Sequence, residues 1–148
     1  MAKMNSKFKY MFDAAPSISL IPNDGAAHVA SFTGTAYTLD KLEGYWTNGE
    51  LADVIIAAVI NVTAVDHTTG DETYSMALQG STDGFTTHKD LGVVSAIPGT
   101  GQYVILLDVD TAAQVVAGIT QIRLAATLAG TTPSITCYAW IGDLQDAD

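Results

Sequence analysis

The chain has 148 residues, of which 48% are hydrophobic and only 15% charged, with a formal net charge of −10. That length suits one domain with a core of its own, and that hydrophobicity excludes an intrinsically disordered chain. The acidic balance argues against nucleic acid and against a membrane surface as partners, because both are recognised through clustered Lys and Arg.

Residues 1–24 read as a leader, an extended N-terminal arm. Lys3, Lys7 and Lys9 are three of the six basic residues, and no acid precedes Asp13. Phe8, Tyr10, Met11 and Phe12 add apolar area. A basic arm on an acidic body can reach an acidic neighbour, including another copy of itself. Lys3, Lys7, Phe8, Lys9, Tyr10 and Phe12 are therefore the candidate attachment residues. The alternative is a solvated, frayed terminus. Asp13 and Pro16 interrupt the apolar stretch that a signal peptide would need. The longest apolar run, 54–60, is far too short to span a bilayer as a helix.

Asn23–Asp24–Gly25 is a turn. Residues 27–32 read as a first strand with Thr33–Gly34 as its turn, and 36–39 as a second, short strand. Tyr45 and Trp46 follow, bounded by Gly44 and the tight turn Asn48–Gly49. Residues 53–65 are β-branched, with Val54, Ile56, Ala58, Ile60, Val62 and Ala64 on one parity. The first half of this run is apolar on both faces, as in a central strand covered on both sides at one end.

A polar loop over 66–71 leads into a strand over 72–79, where Tyr74, Met76 and Leu78 alternate with Ser75 and Ala77. Residues 80–84 are a turn cluster, followed by Phe85 as an apolar anchor in a polar loop. Strands follow at 91–97, ended by Pro98–Gly99, and at 102–108. Residues 111–118 read as a short helix or an irregular connection. The last strands are 119–128 and 134–141. About eight strands with frequent turns are the pattern of a β-sandwich, jelly roll or barrel, and the expectation is an all-β, single-domain β-sandwich of the jelly-roll kind. The expected division is an arm over 1–24, the sandwich over 25–144 and an acidic tail over 145–148.

Little in the chain points to chemistry. His28, His67 and His88 are scattered, whereas a zinc site needs about four converging ligands. Asp108 and Asp110 flank Val109, and Asp66, Asp71 and Glu72 surround a loop. Such carboxylates could bind calcium or run acid–base chemistry, but the EF-hand pattern is absent and turn capping explains them more simply. The glycines form neither a P-loop nor a G-x-G-x-x-G fingerprint, and no serine sits in a nucleophile elbow. Cys137 is the only cysteine, so no intramolecular disulfide can form; its setting predicts a buried thiol in a strand, compatible with a reducing cytoplasm. The expectation is a non-enzyme with no catalytic residue, cofactor or metal. Tyr45 and Trp46, and also Trp140, could stack on a sugar ring or fill a core or an interface.

One succession of residues goes further. The strand and turn Glu72-Thr-Tyr-Ser-Met-Ala-Leu-Gln-Gly-Ser-Thr-Asp-Gly-Phe85 are followed by the Ile97–Pro98–Gly99 turn and the strand over 103–109. Ile122–Arg123–Leu124 and Ile135-Thr-Cys-Tyr-Ala-Trp-Ile141 close the chain's strands. Over roughly residues 52–144 this order resembles the small jelly-roll cement proteins of tailed bacteriophage capsids. The resemblance implies a virion structural protein, made in the bacterial host cytoplasm and added to the outer surface of the head after expansion. It further implies bridging of major capsid protein subunits and self-association as a dimer or trimer. The basic aromatic leader and the acidic tail depart from that pattern. The competing expectation is a carbohydrate- or receptor-binding β-sandwich module.

Overall fold

A computed structural model describes residues 19–38 and 55–143. These described residues hold ten strand segments and one short helix: β1 Ser19–Ile21, β2 Ala27–His28, β3 Phe32–Thr33, β4 Tyr37–Thr38, β5 Ile55–Val65, β6 Thr73–Ser81, β7 Lys89–Val94, β8 Gly101–Asp108, α1 Val109–Val115, β9 Gln121–Ala129 and β10 Ile135–Asp143. Two antiparallel sheets pack face to face. One runs β1–β10–β5–β8 with β2 also on β10, and the other runs β3–β9–β6–β7 with β4 also on β9.

Segments β1 and β2 share one position beside β10, and β3 and β4 share one beside β9. Eight strand positions result, and they pair first with last, second with seventh, third with sixth and fourth with fifth. That is a long antiparallel hairpin rolled on itself, the jelly-roll arrangement. Its bend is the loop between β6 and β7, the one place in the described residues where consecutive full-length strands stay in the same sheet.

The core follows from alternation. Tyr74, Met76 and Leu78 of β6, Ile122, Leu124 and Ala126 of β9, and Ile135, Cys137, Ala139 and Ile141 of β10 all face inward and are buried. Ile105 and Leu107 of β8 join them. On β5 the inward set is Ala58, Ile60 and Val62, but it then shifts to Val65 rather than continuing to Ala64. The cause is a β-bulge: Thr136 pairs with Ala64 and Cys137 with Val62, so Thr63 is the extra residue. Its hydroxyl donates to the Thr136 carbonyl at 3.2 Å.

Two sequence expectations change. Ser19–Ile21, assigned to the arm, forms β1 against β10, with Leu20 and Ile21 in the core, so the sandwich begins before residue 25. A three-residue strand set off by Pro22 is too short to show a period. The single strand expected over 27–32 is also split, because the chain steps from one sheet to the other between β2 and β3. Ser31 secures the step: its hydroxyl accepts the Leu128 N–H at 2.9 Å and donates to the Leu128 carbonyl at 3.3 Å. His28 stacks on Phe32 across it, with ring centroids 3.7 Å apart.

At one end of the sandwich the β5–β6 and β9–β10 connections lie side by side. The buried Tyr74 hydroxyl donates to the Asp66 carbonyl and accepts the Ser134 N–H at 2.9 Å. Gly130 has φ +103°, and a Cβ there would lie 2.5 Å from the Asp71 carbonyl oxygen. Replacing Tyr74 with Phe removes both bonds and leaves the partly buried Asp66 carbonyl and Ser134 N–H without this partner, a loss of about 1–2 kcal/mol. Gly130→Ala forces both a left-handed backbone and a clash, a loss of similar size, about 1–3 kcal/mol. Urea unfolding of each variant against wild type checks both values.

Candidate functional site

The loop carboxylates Asp66, Asp71, Glu72 and Asp83 are held by N–H and hydroxyl groups of the loops. Asp66 accepts the hydroxyl and the N–H of Thr68, the latter at 2.8 Å. Asp71 reaches across to the neighbouring connection and accepts the Thr131 N–H at 3.0 Å and its hydroxyl at 2.8 Å. Glu72 is buried and accepts the N–H groups of Gly70 at 2.8 Å and Thr69 at 3.1 Å. Asp83, in the β6–β7 bend, accepts the N–H of Thr87 at 2.9 Å and its hydroxyl at 2.7 Å. Among the described residues, no three His, Cys, Asp or Glu side chains gather where an ion could bind.

The same bend contains Ser81, whose hydroxyl accepts the N–H groups of Asp83 at 3.1 Å and Phe85 at 3.0 Å. Its single O–H donates within the loop, to the Thr87 carbonyl at 2.7 Å or the Asp83 carboxylate at 2.8 Å. His88 and Ser81 line one cleft of about 240 Å³ with Lys89 and Val116, but the serine oxygen is already committed to the turn. Phe85 adopts φ 67°, rare for an aromatic residue, and lies 4.2 Å under the Arg123 guanidinium. Arg123 in turn donates to Gln79 at 3.0 Å. His67 sits 3.2 Å from the Ile97 carbonyl oxygen and edge-on to Tyr74. Burial pushes the Cys137 thiol up to about 11, so it is no nucleophile near neutral pH.

The two outward sheet faces differ. That of β6 and β9 carries Ser75, Ala77, Gln79, Arg123, Ala125 and Thr127. That of β10, β5 and β8 is more apolar. Register aligns Trp140, Val59 and Val104 in one row, and Ala57 and Leu106 in the next. Ala57, Val59 and Trp140 form a buried cluster separate from the core, with Tyr138 against it. Tyr138 and Trp140 stack with centroids 5.7 Å apart, and the Asn61 amide donates to the Tyr138 hydroxyl at 2.6 Å. Trp140 is only 4% exposed, whereas Val104 and Leu106 on the edge strand are 39% and 56% exposed. The period of two in 103–107 marks the side of β8 that fills the core, but not that its other side is apolar as well; Val109, expected to continue the strand, opens α1 instead.

The candidate attachment residues Lys3, Lys7, Phe8, Lys9, Tyr10 and Phe12, and the aromatic pair Tyr45 and Trp46, lie outside the described residues. No family model matches the chain, and no curated protein matches it.

The loop carboxylates have a pH signature. Hydrogen bonds lower the pKa of Asp66 (from Thr68), Asp71 (from Thr131), Glu72 (first from Thr69) and Asp83 (first from the Thr87 N–H). In the unfolded chain these groups protonate near 3.8 for Asp and 4.5 for Glu. Acid therefore protonates the unfolded state first. The stabilisation is complete above those ordinary values and is lost as the pH falls through them to the lowered folded values. The whole-chain charge also changes with pH, so the informative quantity is the difference between wild type and Asp71→Asn or Asp83→Asn. The Tm advantage of wild type is expected to be constant between about pH 7 and 5 and to shrink below about pH 4. An advantage that grows on acidification contradicts the assignment.

Proposed function

We propose that this chain is a structural protein of a virion: a cement protein that binds the outer surface of a tailed-bacteriophage capsid and bridges neighbouring major capsid subunits. The observation that supports this reading most is how the side chains are distributed. The loop carboxylates Asp66, Asp71, Glu72 and Asp83 are engaged in the chain's own turns, while an outward sheet face presents Val104 and Leu106. Such a surface suits packing against protein rather than turning over a substrate. The jelly-roll strand order agrees with the fold that the resemblance implies, although a fold does not by itself assign a role. The carbohydrate-binding alternative has weaker support, since Trp140 is buried and stacked on Tyr138 instead of standing open to a sugar.

In this reading the N-terminal arm supplies attachment. Each of Phe8, Tyr10 and Phe12, if buried on a capsid subunit, contributes roughly 1.5–3 kcal/mol, whereas each exposed pair made by Lys3, Lys7 or Lys9 adds at most about 1 kcal/mol. The aromatics then carry affinity, and the lysines set orientation and association rate. The test is co-sedimentation with expanded capsids that lack the protein. Wild type is expected to bind saturably and to raise the temperature at which the heads release DNA. Removing residues 1–12 is expected to weaken binding strongly while leaving circular dichroism unchanged. Replacing the three lysines with Ala is expected to weaken it moderately and flatten its salt dependence. Unchanged capsid occupancy after removal of the arm contradicts its role, and no capsid binding by wild type contradicts the function.

A further inference from the structure

The stretches 79–85 and 122–124 are far apart in the chain and meet on the outward face of the β6–β9 sheet. Register sets Gln79 directly opposite Arg123. The side-chain oxygen of Gln79, a buried residue, accepts the Arg123 Nε–H at 3.0 Å. One flat side of the guanidinium is covered by the Phe85 ring, 4.2 Å away. Phe85 is held in place at φ 67° by the buried Ser81, whose hydroxyl accepts its N–H at 3.0 Å. A bulky residue in that backbone region is strained. The bend sustains the strain to put an aromatic shelf under a cation, outside the core.

Arg123 is the only arginine in a chain with 16 acidic and 6 basic residues. Yet among the described residues its partners are Gln79 and Phe85, and no carboxylate pairs with it. Asp83, in the same bend, is taken up by Thr87 and Ser81. A guanidinium carries five N–H donors in one fixed plane. Its Nε–H is engaged by Gln79, so the fork of Nη1 and Nη2 is left at the open end. Ala77 and Ala125, the next pair along this face, are too small to overhang it.

We propose that Arg123 is a recognition residue that receives one carboxylate of a partner protein, an Asp or Glu side chain, end-on through Nη1 and Nη2. Two parallel N–H···O bonds to a carboxylate are the geometry that a planar fork matches. Gln79 and Phe85 hold the guanidinium in advance, which removes an ordering cost from binding. The surroundings favour a carboxylate over a phosphate. The cluster offers one cation, with Asp83 in the bend and Asp90 opposite Gln79 on β7, so it suits a single negative charge better than a double one. The inference rests on the capsid reading for the partner's identity and adds what bridging requires, a second contact surface. Val104 and Leu106 stand on one outward sheet face and Arg123 on the opposite one. In that reading the carboxylate belongs to a major capsid subunit.

Co-sedimentation with expanded capsids that lack the protein tests this with two variants. Arg123→Gln is expected to raise the dissociation constant at least about tenfold, with circular dichroism unchanged, because the side chain is only half-buried on a sheet face. Arg123→Lys keeps the charge without the fork and is expected to recover only part of the affinity. Its amine also permits a direct reading, since a carbodiimide joins an amine to a carboxylate in contact with it. Capsid-bound R123K is expected to give a cross-link from position 123 to an Asp or Glu of the major capsid protein. A purely structural Arg123 gives a different result: Arg123→Gln lowers Tm but leaves capsid occupancy unchanged, which overturns the proposal. Capsid-bound R123K that yields no such cross-link, or one only to its own chain, overturns it too. Wild type that does not bind capsids overturns the functional reading and this inference together, whereas binding indifferent to Arg123→Gln overturns this inference alone.

Discussion

A sandwich core roughly 10 Å thick accepts side chains from one face of each strand only, and that constraint organises this molecule. Ile60, Leu78, Leu124, Ile135 and Ile141 meet because each lies on the inward parity of its strand. Where the parity would drift, the backbone is adjusted rather than the composition. The bulge at Thr63 re-phases β5 so that Val65 reaches the core and Ala64 does not. Another register shift, between Leu78 and Gln79, leaves Leu91 of β7 unpaired and packed on the core. Gly92 then lets β7 approach the Ile105 side chain on β8, closing the side of the sandwich where two edge strands meet.

A rolled hairpin also needs its crossings held, because the chain passes from sheet to sheet at most connections. The acidic residues serve that need. Asp71 joins the β5–β6 crossing to Thr131 in the β9–β10 crossing, and Tyr74 ties both to the sheet beneath. Asp83 and Ser81 knit the bend at the far end of the hairpin. The capping that organises the loops is thus the same chemistry that leaves these carboxylates engaged. Among the described residues, the exposed apolar side chains of the outward face of β10, β5 and β8 are Val104 and Leu106 on β8, and the proposed role in adhesion between proteins draws on them.

Much of the fold was readable in the sequence, because long strands carry many periods. Residues 72–79, 102–108 and 134–141 alternate cleanly, and each became a strand of nearly that extent. Short pieces were not readable. Ser19–Ile21 offers one alternation, and Ala27–His28 and Phe32–Thr33 look continuous until the two sheets are seen to claim one each. The strand expected over 91–97 begins two residues earlier and ends at Val94, yet Ile97 still enters the core, because its N–H bonds to the Tyr74 carbonyl at 3.0 Å. The turn-capping role of Asp66, Asp71 and Glu72 was expected from their place at strand ends around a loop. The outward row of Val59, Trp140 and Val104 did not, since strand register across three segments is set by tertiary pairing and not by local pattern.

The central claim is that this sandwich works by adhering to a capsid. The most direct measurement is a cryo-microscopy reconstruction of the phage head that carries the chain. The account predicts sandwich-shaped density on the outside of the expanded lattice, seated where major capsid subunits meet. A head that is bare at those junctions while the protein is present in the particle, or density confined to the tail, would contradict it.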